Sequence, residues 1–137
     1  MSFLLDTNVI SETRKRRPDI GVVDWIDSVE ADCLHLSVLT VGEIERGISQ
    51  LRRRGDKRQA SSYAAWVATL FEAFAGRIVP ISGEIARRWG QAGSDVTSTV
   101  DALLGATAQV HGWTLVTRSV KNFVALDIAV LNPFAGA

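Results

Sequence analysis

The chain has 137 residues, with 15 Lys and Arg set against 15 Asp and Glu for a formal net charge of zero. That length suits one domain, 1–137, of the commonest size, able to bury roughly two-thirds of its unfolded surface without a disulfide or structural metal. With 47% hydrophobic and 22% charged residues and no apolar run near the ~18 residues of a membrane helix, it is neither a disordered nor a membrane-spanning sequence.

The opening Met1-Ser2-Phe3-Leu4-Leu5-Asp6 lacks a basic n-region, so no signal peptide is expected and a cytoplasmic location follows. Short apolar runs at Phe3–Leu5, Cys33–Ser37, Arg77–Ile81, Thr114–Thr117 and Ile128–Leu131 read as strands covered on both faces, as in a parallel sheet. Cys33, the one cysteine, excludes an internal disulfide or a cysteine zinc cluster and reads as a buried strand residue. Pro80 cannot donate to a ladder, so its run ends there or lies at an edge.

Helical patterns fill the gaps. Val41, Ile44, Ile48 and Leu51 share one face, as do Val67, Leu70, Phe71 and Phe74. The stretch from about 38 to 75 is too long for one crossover helix, and Arg52-Arg53-Arg54-Gly55-Asp56 breaks it into a helical hairpin. Around Tyr63, Trp66 and Phe71 the second arm is apolar on more than one face, which fits either core or a partner surface. Ile85, Ala86 and Trp89 mark a shorter helix. Val100 through Val110 marks another, stopped by Gly112. Strands alternating with helices give βαβ units, hence an α/β fold with helices on both faces of a mostly parallel sheet of about five strands.

In such a sheet ligands bind beyond the carboxyl ends of the strands. Asp6 follows the first strand directly, with Thr7 and Asn8 placed to cap the next helix. Thr117, Arg118 and Ser119 follow the fourth. Glu43 and Asp101 fall at the starts of two helices. Three carboxylates on one rim would suit a hard cation, which takes oxygen ligands and keeps several waters. Singly, each has a structural alternative: Thr40-Val41-Gly42-Glu43 and Ser98-Thr99-Val100-Asp101 both have the form of a capping box, and Asp6 can bond turn amides. His35, in a strand, and His111, at a helix end, read as structural.

At these residues the sequence resembles the PIN-domain family, in particular VapC-type toxin ribonucleases of bacterial type II toxin–antitoxin systems. The resemblance is carried by Leu4-Leu5-Asp6-Thr7-Asn8-Val9-Ile10-Ser11-Glu12, by Leu36-Ser37-Val38 through Gly42-Glu43-Ile44-Glu45-Arg46-Gly47, by Asp101-Ala102-Leu103-Leu104-Gly105-Ala106-Thr107-Ala108, by Leu115-Val116-Thr117-Arg118, and by Leu131-Asn132-Pro133-Phe134. It implies a three-layer α/β/α PIN fold and Mg²⁺- or Mn²⁺-dependent cleavage of RNA. It also implies a VapB-like antitoxin partner, a homodimer and toxin–antitoxin hetero-oligomers. Asp6, Glu43 and Asp101 match the family's acids and would ligate the metal, while Thr7, Asn8 and Thr117 would support them. The family's last motif commonly carries an acid where this chain has Ser119 and Asn122, which predicts weaker metal binding and leaves a catalytically weak module that binds antitoxin or RNA as the alternative. Asp95 is a possible fourth acid. An Asp-nucleophile phosphatase is disfavoured, because Asn8 stands where its second acid would be.

A zero net charge ordinarily speaks against a nucleic-acid partner. Here the basic residues are grouped, in Arg14-Lys15-Arg16-Arg17 and in Arg52-Arg53-Arg54 with Lys57 and Arg58, and most are Arg, which suits bidentate phosphate contact. Arg14, Arg16, Arg17, Arg46 and Arg118 are the RNA-binding candidates, the last two for charge developing on a phosphate. Basic residues at a helix C-terminus are also favoured by the helix dipole, so the second cluster carries both readings.

Overall fold

The computed structural model describes residues 1–92 and 98–136. Five parallel strands form the sheet: β1 (Phe3–Leu5), β2 (Leu34–Ser37), β3 (Ile78–Val79), β4 (Thr114–Val116) and β5 (Val130–Leu131), in the order β3-β2-β1-β4-β5. Six helices are described with them: α1 (Thr7–Glu12), α2 (Ile20–Ser28), α3 (Val38–Arg53), α4 (Lys57–Ala73), α5 (Gly83–Gln91) and α6 (Thr99–His111).

Alternation along the strands makes the layers. Leu4 and its register partner Leu115 face one side, where Leu104 and Ala108 of α6 and Phe123 cover them. Leu5 and its partner Val116 face the other, against Val9 and Ile10 of α1, Val22 of α2, Ile44 and Ile48 of α3, and Val67 and Leu70 of α4. Side chains of period two need apolar cover on both faces of a parallel sheet, and the three α/β/α layers supply it.

The chain builds outward from β1 to β2 and β3, then returns to place β4 and β5 on the other side. The reversal puts a topological switch point between β1 and β4, where open α/β sheets hold their ligands.

The strand expectations hold in position, with trimmed ends. β3 keeps only Ile78–Val79 of the expected Arg77–Ile81, and it is an edge strand that stops at Pro80. Cys33 lies in a short 3₁₀ turn before β2 and is half-buried. The helical hairpin is present: α3 and α4 meet at Gly55, whose φ of 80° needs a residue without Cβ, and Asp56 caps α4 by accepting from the Gln59 amide. Trp66 and Phe71 pack partly buried against the core, so part of the apolar width of α4 is taken up within the chain. Gly112 ends α6 in the left-handed conformation at φ 69°.

Two local readings change. Helix α3 begins at Ser37, whose hydroxyl accepts from the Leu39 amide, so Thr40 lies inside the first turn rather than capping it, and Glu43 falls in the second turn. Helix α2 has no counterpart among the sequence expectations. Asp19 caps it through the Gly21 and Val22 amides, and Trp25 anchors it edge-on to Phe3, ring centroids 5.0 Å apart. Asp19 also accepts from the Ala135 amide, tying the C-terminal segment to this helix start. The approach is so close that a Cβ on Gly21 would meet the Pro133 oxygen at 2.5 Å, so only glycine fits there.

Candidate active site

The end of β1 delivers Asp6 to the switch point. Its amide donates to the Val116 oxygen, continuing the β1–β4 ladder, while its side chain opens α1 by accepting from the Thr7 amide at 2.7 Å. Asp6 is therefore itself the helix cap, in place of Thr7 or Asn8. Asp6 is 7% exposed, and the fully buried Thr117 donates its hydroxyl to Oδ2 at 2.8 Å. Burial pushes the Asp6 carboxyl above its ordinary range. The Thr117 and Thr7 bonds draw it back down, and the nearby charges of Asp101 and Glu43 raise it further. Asp6 thus feels the charges of the other two acids expected from the sequence, which stand on α3 and α6.

Glu43 is exposed, and its Oε1 accepts from the Thr7 hydroxyl at 2.5 Å. Thr7 therefore holds two carboxylates, Asp6 through its amide and Glu43 through its hydroxyl. Asp101 lies in the first turn of α6, where its amide donates to the Ser98 hydroxyl, so the cap read from the sequence is real. Its carboxylate Oδ2 accepts from Asn122 Nδ2 at 3.3 Å.

The supporting residues converge on the same rim. Asn8 Nδ2 donates to Thr117 Oγ1 at 3.4 Å and to Ser119 Oγ at 3.3 Å, and Asn8 Oδ1 accepts from the Arg118 amide. The Ser119 amide donates to Thr117 Oγ1. Ser119 and Asn122, the two neutral residues of the last motif, therefore stand beside the acids as hydrogen-bonding groups, Asn122 turning a donor rather than its oxygen toward Asp101. Asp95 lies outside the described residues. Sequence reasoning missed Thr40, which is fully buried with Oγ1 3.1 Å from Thr7 Oγ1. The signal was available, since Thr40 precedes Glu43 by three residues and so shares its helix face, but the capping motif explained both residues first.

The basic candidates divide. Arg16, Arg17 and Arg46 are exposed. Arg14 lies over the Tyr63 ring, 3.8 Å from its centroid, and Arg118 over Phe134 at 4.7 Å. The two histidines are structural as expected, but His111 does not merely face helix carbonyls: His35 and His111 stack near-parallel on either side of Trp113, with centroids 4.0 and 4.2 Å away.

The profile of the PIN domain family matches residues 3–125. The chain belongs to the PIN-domain family. It is similar to Toxin FitB of Neisseria gonorrhoeae, at 34% identity over 96% of this chain and 98% of that protein. It is also similar to VapC ribonuclease Y4jK of Sinorhizobium fredii, at 31% identity over 98% of this chain and 99% of that one. The crystal structure of FitAcB from Neisseria gonorrhoeae superposes with a TM-score of 0.81 at 33% identity, covering 96% of this chain and 97% of that one.

For a PIN domain, a divalent cation is the implied cofactor. The donor set fits one in kind: the acids are hard oxygen ligands, which Mg²⁺ and Mn²⁺ prefer over nitrogen or sulfur. Among the described residues no group of three or more His, Cys, Asp or Glu is drawn together tightly enough to hold a metal by itself. The fit is thus to an ion bound through one or two carboxylates, with water completing its shell, as Mg²⁺ commonly is.

Proposed function

We propose that this PIN domain is a metal-dependent endoribonuclease, the toxin of a toxin–antitoxin pair. The observation that carries the proposal is the placing of Asp6 at the β1–β4 switch point, joined to Glu43 through Thr7, with a carboxyl raised first by burial and further by the charges of Asp101 and Glu43. The names of relatives matched along nearly their whole length, Toxin FitB and VapC ribonuclease Y4jK, support it.

Asp6 and Asp101 are the residues we assign to hold Mg²⁺ or Mn²⁺, with Glu43 acting on the ion or its water. When bound, such a cation supplies polarisation of a phosphoryl oxygen and an activated water for attack on the phosphodiester. The chain's part is positional. Thr117 and the Thr7 amide fix the two Asp6 oxygens, Thr7 directs Glu43, and Asn122 directs Asp101. Arg46, Arg16 and Arg17 are assigned to the RNA backbone, where cationic side chains neutralise phosphate. Arg14 and Arg118 join them, already oriented by Tyr63 and Phe134. A VapB-like antitoxin, a homodimer and a cytoplasmic site of action complete the proposal; among the described residues no helix is long and apolar enough to cross a membrane.

A second reading is favoured by Ser119 and Asn122. With neutral side chains there and no tight acid cluster among the described residues, the domain would bind antitoxin or RNA with little turnover. Incubating the purified chain with RNA in Mg²⁺ or Mn²⁺ separates the two. Cleavage that stops on chelation supports the nuclease. RNA retained intact, yet shifted in a binding assay, supports the module.

A further inference from the structure

We propose that Thr40 is a positioning residue for Glu43 and acts through Thr7; this rests on the metal-binding reading of the site. Thr7 Oγ1 lies 2.5 Å from Glu43 Oε1 and 3.1 Å from Thr40 Oγ1. The Thr7 hydroxyl has one hydrogen, and the shorter contact to a charged acceptor takes it. Thr40 therefore gives its own hydrogen to the Thr7 oxygen. The hydroxyls form a chain running one way, Thr40 to Thr7 to Glu43, and each bond in such a chain polarises the next.

The placement gives this chain its purpose. Thr40 and Glu43 lie three residues apart on α3, so one helix sets both ends while Thr7 bridges from α1. Thr7 also donates its amide to Asp6 Oδ1, so fixing its side chain fixes Glu43 relative to Asp6. Thr40 has no capping duty, because Ser37 caps α3. At 0% exposure within a helix turn, valine would fill the same space with similar helix propensity and no polar atom to satisfy. What threonine adds at this position is the hydrogen bond toward the site. Glu43, exposed and long, is the acid most in need of a fixed orientation.

Mn²⁺ titration calorimetry on the full chain tests this, alongside thermal midpoints measured without metal. Thr40→Val is expected to weaken Mn²⁺ binding about 10-fold, the scale of outer-shell substitutions, with the midpoint within a few degrees of the parent. Thr40→Ser is expected to restore affinity to within about 2-fold, since it returns the donor. In a Glu43→Gln background, Thr40→Val is expected to add nothing. Should Thr40→Val not fold, Thr7→Val, which removes the middle link at a half-buried position, is expected to show the same loss. Parent-like binding in the valine variant, or an equal loss in the Glu43→Gln background, overturns the positioning role. A parent chain that binds no Mn²⁺ at tens of millimolar overturns the metal reading itself, and this role with it.

Discussion

Thr117 donates its buried hydroxyl to Asp6 Oδ2 at 2.8 Å, joining the ends of β4 and β1 across 111 residues of sequence. A carboxylate this enclosed depends on such a partner, and a hydrogen bond to a charged group contributes about 1.5–3 kcal/mol. Thr117→Val keeps the shape but removes the donor to Asp6 together with the acceptor of the Asn8 and Ser119 bonds. Its urea unfolding free energy at pH 7 is expected to fall by about that amount. The loss should shrink as pH falls, because the bond favours the ionised form. A pH-independent loss would assign the effect to the Asn8 and Ser119 bonds instead.

Asp6 itself is held at a cost to the fold. Burial holds its folded pKa above the ordinary aspartate value, so the folded state binds the Asp6 proton more tightly than the unfolded state does. Ionised Asp6 therefore lowers stability, and this penalty grows as pH rises from the unfolded value through the folded one. Asp6→Asn keeps an acceptor for the Thr7 amide and removes the charge. At pH 7, without metal, the variant is expected to be at least as stable as the parent, with the margin closing toward acid pH. Urea midpoints across that range measure it, and a variant less stable at pH 7 would contradict the account.

Restoring an acid to the last motif should strengthen the site. Ser119 Oγ lies 3.3 Å from Asn8 Nδ2, on the rim that carries Asp6 and Thr117. Ser119→Asp adds a negative oxygen ligand there, and cation affinity follows the charge of the ligand set. The Mn²⁺ concentration giving half-maximal RNA cleavage is expected to fall about 10-fold. An unchanged requirement would place Ser119 outside the site's electrostatic reach.

The ring stack at the opposite end of β4 carries a pH signature of its own. Burial lowers the His35 pKa below the ordinary histidine value; the Phe3 and Cys33 backbone bonds oppose this, and the charges of Arg77 and His111 add to it. The unfolded chain takes up the proton first, so this contribution to stability is complete above the unfolded value and is lost as pH falls through the folded one. His35→Phe keeps a ring against Trp113 and removes the titration. Its stability is expected to change less than the parent's between pH 7.5 and 5.5, as read by urea midpoints. Equal slopes would show that other groups set the acid limb.

Much of this arrangement was legible in the amino-acid order. The strands are apolar on both faces, and a polar residue marks the carboxyl end of β1 and of β4, so the sequence places Asp6 and Thr117 on one rim. The α3–α4 hairpin announced itself through Arg54-Gly55-Asp56. Helix α2 did not, because its start at Asp19 follows Pro18 and the basic run, and its core contact rests on Val22 with partly buried Trp25 and Ile26. The capping of α3 by Ser37 rather than Thr40 was equally hidden, since both hydroxyls stand close before the same apolar pattern. Only the tertiary contact with Thr7 assigns Thr40 its partner. The stacking of Arg14 on Tyr63 likewise depends on packing between distant segments.

The central claim is that Asp6, Glu43 and Asp101 act as one cation-dependent site on RNA. The most direct measurement is the cleavage rate of one RNA by the parent, Asp6→Asn, Glu43→Gln and Asp101→Asn chains across a Mn²⁺ series, with chelator as the zero point. The account predicts cleavage by the parent that requires metal, no activity in Asp6→Asn, and losses of at least about 10-fold in the other two. Parent-like cleavage by Asp6→Asn, persisting in chelator, would contradict it.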